Sequence, residues 1–245
     1  MQPRFAYYGH HKCGSTWVTR VMRAVLSHLG LAELGQNHDL RMPKPGVLDE
    51  IDCDYGLLCW NADWLFARVI ECPGFHVIRD PRDVVVSGYF SHLDTHPEDN
   101  WARLHYYRKL LQGQSKYEGL ESEMSFSSRF LFAMYSWDYT QSRILELKFE
   151  DLIADPLACF SAVFEHLGVG EAPLPRALLA RILSASTFET LSGGRRPGEE
   201  ANHHYRRGLP GDWRNHFSAR HIDLFKRLYN PLLIKTGYER NEDWH

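Results

Sequence analysis

Apolar positions along the chain follow two spacings in turn. Short aromatic or β-branched runs are followed by stretches whose apolar residues recur every three or four positions. Residues 4–8 read as a strand, and Trp17, Val18, Val21, Met22, Val25, Leu26 and Leu29 then mark one face of a helix. Residues 55–60 and 74–78 predict two more strands, with a helical stretch at 62–70 between them. Asp80 offers a helix cap with Pro81 at the first helical position, opening a helix through Val84, Val85 and Tyr89. The order recurs with a strand at 144–149, after which Asp155 and Pro156 cap a helix whose Leu157, Phe160, Val163, Phe164 and Leu167 share a face. Strands alternating with helices predict βαβ units. The fold class is α/β: a single domain over residues 1–245 with a central, mainly parallel sheet flanked by helices.

Two stretches depart from this order. Residues 94–125 mix aromatic, charged and polar side chains without a clean period, and predict an insertion of loops and short helices over an acceptor site. Residues 192–208 combine Gly, Pro and charge, as expected of a mobile loop covering a ligand.

Composition narrows the function classes. The hydrophobic share of 44% and charged share of 24% fit a globular protein and exclude fibrous or disordered architectures. A formal charge of -3 argues against nucleic acid or an anionic membrane as partner, since both need a broad basic surface; a small anion can still be held by a local basic cluster. Five cysteines, Cys13, Cys53, Cys59, Cys72 and Cys159, are odd in number and form no C-x-x-C pair, so neither a disulfide framework nor a cysteine zinc site is expected, and a reducing cytoplasmic location is. No apolar run reaches the length of a membrane span, and no targeting signal is expected at the opening residues. The fourteen histidines complete no zinc pattern, because His10 and His11, and His203 and His204, are adjacent pairs; no metal is expected.

Candidate chemistry begins where the first strand passes into the first helix. Lys12, Gly14, Ser15 and Thr16 stand at that turn, where unpaired backbone N–H groups and the helix dipole favour an anion and Lys12 adds a full charge. The common nucleotide-triphosphate loop, G-x-x-x-x-G-K-[ST], places its lysine after the second glycine, whereas Lys12 precedes Gly14. Lys12, Gly14, Ser15, Thr16 and Trp17 instead resemble the phosphosulfate loop P-K-[ST]-G-[ST]-T-W of sulfotransferases that use 3'-phosphoadenosine-5'-phosphosulfate (PAPS), with His11 replacing the proline and Cys13 the small hydroxyl residue. Three later segments carry the same resemblance in order. Arg79 and Ser87 match the arginine and serine that the family directs at the 3'-phosphate. Residues 147–156 resemble the segment containing Y-E-D-L, with Phe149 at the aromatic position. Residues 205–218 resemble R-K-G-x-x-G-D-W, with Arg206, Arg207 and Gly208 in the part that closes over the 3'-phosphate.

The resemblance implies a P-loop nucleotide-kinase-like fold and a sulfotransferase with PAPS as donor and 3'-phosphoadenosine-5'-phosphate (PAP) as product. It also implies a small-molecule or carbohydrate acceptor. Cofactor-binding residues would be Lys12, Cys13, Gly14, Ser15, Thr16, Trp17, Arg79, Ser87, Arg206, Arg207 and Gly208. Lys12 would stabilise the leaving phosphate, and no metal would be obligatory. The family's usual base position near the end of the second strand holds neither His nor Glu. Asp63, His11 and, more distantly, His38 compete for that role, with helix capping as the other use of Asp63. A nucleotide-dependent kinase and a noncatalytic PAPS-binding module are the alternative functions.

Overall fold

The computed structural model describes residues 4–36, 54–98, 101–170 and 172–245. His38 and Cys53 lie outside the described residues. In chain order the elements are β1 (Phe5–Gly9), α1 (Ser15–Leu29), β2 (Ala32–Gln36), β3 (Tyr55–Cys59), α2 (Trp64–Ala67), β4 (Gly74–Ile78) and α3 (Pro81–Phe90). A π-helical turn at Ser91–Thr95 leads to α4 (Ala102–Gln112), α5 (Lys116–Phe126), α6 (Ser128–Ser136), β5 (Ile144–Lys148), α7 (Phe149–Ala154) and α8 (Pro156–His166). The chain ends with α9 (Arg176–Ser184), α10 (Phe188–Leu191), a 3-10 turn at Asp212–Asn215 and α11 (Ala219–Lys235).

The described chain divides into two compact units, one formed by Met1–Arg79 and Ser136–Thr187, the other by Asp80–Tyr135 and Phe188–His245. The first unit holds the sheet. Its strand order is β2-β3-β1-β4-β5, and all four pairings are parallel. A parallel sheet is covered on both faces, and β1, β3 and β4 are accordingly buried along their whole length. On one face Phe5, Tyr7, Leu58, Phe75 and Val77 pack against Val18, Val21, Met22, Val25 and Leu26 of α1 and against apolar residues of α8 and α9. On the other, Ala6, Tyr8, Leu57 and Cys59 pack with Ala62, Ala67 and Trp137. The period-two alternation of β1 thus feeds two different cores.

Asp80 caps α3 as the sequence predicts, accepting from the Arg82 N–H at 2.9 Å, and Asp155 caps α8 through Ala158. The predicted helix at 62–70 is a single turn, α2. The strand β2 is not foreseen by the sequence, because residues 32–36 contain no β-branched or aromatic residue.

The second unit is helical and is anchored by buried charge. Arg82, 2% exposed, pairs with Asp80 at 2.8 Å and Glu239 at 2.5 Å, while its guanidinium lies 4.1 Å from the Trp213 ring centroid and 4.6 Å from that of Trp244. Asp83 accepts the N–H groups of Gly211 and Trp213 at 2.6 and 2.9 Å. Glu123 is fully buried and accepts from Tyr107 and Ser127, with His92 Nδ1 at 2.9 Å. Each buried charge is therefore hydrogen-bonded, which is the condition on which such groups are tolerated. The stretch predicted as an insertion holds the regular helices α4 and α5, the latter opened by a capping box between Ser115 and Glu118.

Candidate active site

The turn from β1 into α1 is tightly determined. Cys13 N–H and Ser15 Oγ both donate to the His10 carbonyl, at 3.1 and 3.0 Å, so the loop closes on itself before the helix begins. Lys12 and Gly14 both take left-handed backbone conformations, with φ of 62° and 77°. A side chain at Gly14 would be strained on that account, and its Cβ would stand 2.5 Å from the Phe149 ring. Gly14 is also the helix cap, so α1 starts without a capping side chain and without an acidic residue in its first turn. Most other helices, α2, α4, α6, α8, α9 and α11, likewise carry no acid in their first turn, whereas α3, α5, α7 and α10 do. What sets α1 apart is its glycine cap, with Lys12 and Gly14 both left-handed immediately before the helix start.

Phe149 sits at the start of α7 and supports this turn. Its ring packs on Gly14, lies edge-on to Trp17 at 6.4 Å between centroids, and carries the Arg79 guanidinium 5.1 Å above it. Arg79 also donates to the Lys12 carbonyl at 3.2 Å. Lys12, Gly14, Trp17, Arg79 and Phe149 are therefore brought together by β1, α1, β4 and α7. Burial pushes the Cys13 thiol up to about 12, so it is a packing residue in the loop and not a thiolate.

The two candidate bases occupy different settings. Asp63 caps α2, accepting the Leu65 N–H at 2.6 Å, and the neighbouring Ala62 N–H donates to the Gly9 carbonyl at 2.7 Å, which places this segment beside the end of β1. His11 lies within the loop and is 7% exposed.

A polar network behind the loop escapes sequence reasoning. His10 Nε2 lies 2.7 Å from His76 Nε2, and His76 Nδ1 lies 2.6 Å from Glu146 Oε2. Trp137 donates to Glu146 Oε1 at 2.8 Å, and its ring stacks on His76 with centroids 3.9 Å apart. Although His76 and Glu146 are within ion-pair distance, burial favours the uncharged form of both, lowering His76 to about 3 and raising Glu146 to about 8. Burial likewise holds His10 well below its ordinary value, and His76 adds to the effect. These residues are 66 and 70 positions apart, so no spacing betrays them; the visible signal is a histidine inside the apolar strand Gly74–Ile78.

In the second unit Arg206 and Arg207 converge on Asp212. Each donates to one of its carboxylate oxygens, and Asn215 and His216 contribute at 2.9 and 3.2 Å. Burial would raise the Asp212 carboxyl, but these donors hold it well below the usual range. Arg206 also bonds Glu200, while the Nε of Arg207 is buried without a partner. Such an orphaned donor fits a phosphate oxygen as ligand. Gly208, at φ 72°, lies against the Phe188 ring, and Ser87 is half-buried on α3. The loop predicted to be mobile is gathered around Arg195, whose guanidinium donates to the carbonyls of Ser192, Glu199, Tyr205 and Arg206.

Among the described residues, no helix is long and apolar enough to cross a membrane, and no group of three or more His, Cys, Asp or Glu is placed to hold a metal ion.

The chain is similar to known sulfotransferases. Mus musculus sulfotransferase 2A6 is 24% identical over 177 residues, covering 65% of this chain and 55% of its own length. The 3-alpha-hydroxysteroid sulfotransferase of Cavia porcellus is 28% identical over 190 residues, covering 70% and 57%. The chain thus spans a little over half the length of these relatives. Mouse sulfotransferase SULT7A1, solved in complex with PAP, superposes with a TM-score of 0.63 at 15% identity, covering 98% of this chain and 85% of that one. Retinol dehydratase, solved with androsterone and the inactive cofactor PAP, gives 0.60 at 13% identity, covering 95% and 81%. At these identities the structures show a shared fold. The sulfotransferase domain model matches residues 72–237, which include Arg79, Ser87 and the 206–208 segment, and the chain therefore belongs to the sulfotransferase domain family.

Proposed function

We propose that the protein transfers a sulfuryl group from PAPS to a hydroxyl or amine of a small-molecule or carbohydrate acceptor. The observation that carries this reading is the β1–α1 turn, a helix start with a glycine cap and with Lys12 fixed in a left-handed conformation in the loop before it. PAPS, when bound, supplies an activated sulfuryl group on a phosphate leaving group. Lys12 carries the charge that neutralises the departing 5'-phosphate, and Ser15, Thr16 and the loop amides orient it. Cys13, Gly14 and Trp17 shape the loop around it. Arg79, Ser87, Arg206, Arg207 and Gly208 hold the 3'-phosphate, with the guanidinium groups now turned to Asp212 exchanging part of that bonding for phosphate oxygens. No metal is part of the proposal.

Asp63 and His11 remain the two choices for the base that takes the acceptor's proton. Asp63 already accepts one backbone N–H as a cap, so only part of its bonding capacity remains for an acceptor. Removing the true base by Asp63→Asn or His11→Ala alters the pH–rate profile and not just the yield of folded protein.

Lys12→Ala is expected to lower turnover by about a hundredfold or more while thermal unfolding stays near that of the parent. Turnover near the parent's would remove Lys12 from the mechanism. The kinase alternative is tested by calorimetry with PAP against ATP plus magnesium; preference for ATP would replace the sulfotransferase reading.

A further inference from the structure

We propose that His10, His76 and Glu146 form a hydrogen-bonded proton relay behind the phosphate loop, and that removing its carboxyl proton weakens the loop's hold on an anionic ligand. The effect on ligand rests on the reading of this loop as the PAPS phosphosulfate site.

The geometry leaves few proton arrangements. In the Nε2 to Nε2 contact of 2.7 Å between His10 and His76, one nitrogen must carry hydrogen and the other must accept. The same holds for His76 Nδ1 and Glu146 Oε2 at 2.6 Å. When Glu146 is protonated its O–H donates to His76 Nδ1, His76 Nε2–H donates to His10 Nε2, and the His10 hydrogen resides on Nδ1. When Glu146 ionises, it accepts from His76 Nδ1–H, His76 Nε2 becomes the acceptor, and His10 carries its hydrogen on Nε2. Loss of one proton at the carboxyl therefore exchanges the tautomers of both rings without placing a charge on either.

The relay crosses three neighbouring strands and ends in the loop. His76 pairs in register with Tyr8 and with Glu146, so these side chains share one face of the sheet, and His10 lies two residues beyond Tyr8. His10 is also the closing point of the turn, since its carbonyl receives Cys13 N–H and Ser15 Oγ. A change at its ring is therefore made on the residue that holds the loop's backbone.

The titration expected here falls within a usable range. Glu146 is pushed up to about 8, chiefly by burial; the Trp137 and Gln141 donors act against this and the nearby Asp138 charge acts with it. The titratable groups around Glu146 are His76 on β4 and Asp138 and Tyr139 from the segment before β5, with His10 beyond His76. Burial keeps Tyr139 and both histidines uncharged through this range, leaving the Glu146 carboxyl as the group of the relay that ionises near neutrality. Ionisation adds a negative charge behind a loop built for anions.

The test begins with the unaltered protein. Isotope-edited NMR of the imidazole nitrogens should show His10 and His76 exchanging tautomers together, with a midpoint at about 8 and with both rings neutral on either side. Calorimetric PAP affinity should fall about tenfold across the same interval, the change expected if bound anion shifts the carboxyl by one pKa unit. Glu146→Gln should abolish both changes and hold PAP affinity at the low-pH level, because the neutral amide donates to His76 and its oxygen still accepts from Trp137. Tautomers that stay fixed through this interval overturn the relay. A pH dependence of PAP binding identical in parent and Glu146→Gln overturns its control of the loop. PAP binding at no pH would reject the PAPS reading and the affinity effect with it, whereas the tautomer exchange is read without ligand.

Discussion

Gly14 shows how little freedom the loop residues have. Its positive φ excludes most side chains without strain, and the Phe149 ring fills the space a Cβ would need. Gly14→Ala is expected to cost about 1–3 kcal/mol through backbone conformation, with a further loss from displacing Phe149. Combining it with Phe149→Leu should restore part of the thermal stability and none of the loop's original support, and denaturant titration of the two variants checks this. A single variant as stable as the parent would show that the ring yields freely. The glycine, the lysine and the hydroxyl residues were legible because they stand in consecutive positions at the turn from β1 into α1. Phe149 was legible only as an aromatic in a motif; that it buttresses Gly14 depends on a fold that brings together residues 135 positions apart.

Among the elements, the strands that follow strong apolar runs were the easiest to read, and residues 74–78 form β4 with the predicted bounds. β2 was hidden because its side chains lack the shapes that favour a pleated sheet, and it is held instead by its parallel pairing with β3. α4 and α5 were obscured by their many charged and polar positions, where local capping at Ser115 does what an apolar stripe does elsewhere. The composition of the 192–208 segment gives the expectation of a mobile loop, and Arg195 donates to four of its carbonyls, a contact between side chain and backbone that composition does not reveal. Arg195→Ala should release that segment and raise its rate of proteolytic cleavage at least several-fold under native conditions, with the far-ultraviolet spectrum unchanged. Cleavage at the parent rate would mean that the backbone holds itself without the guanidinium.

For the whole molecule, the relay, with both histidines buried and the Glu146 side chain partly exposed, predicts an unusual dependence of stability on pH. Glu146 has a raised folded-state pKa, so its contribution is fully present below the ordinary value of 4.5 and is lost as pH rises through about 8. His10 and His76 are lowered, so theirs is present above the ordinary 6.5 and is lost as pH falls. Between 6.5 and about 8 the carboxyl alone of the three changes charge, and Tm should decline there in the parent and flatten in Glu146→Gln. Equal slopes would mean that Glu146 is ionised already in the folded state. The division of the chain carries a different consequence, one of timing. Neither unit is contiguous: the sheet awaits β5, which follows the whole of residues 80–135, and the helical unit awaits residues 188–245. During synthesis the first four strands must therefore wait for a partner still unmade, with the β4 edge unpaired, and the helical unit stays open until residues 188–245 emerge. Folding should be slow and cooperative, with the sheet edge at β4 as the place where a nascent chain is most exposed to association with its own copies.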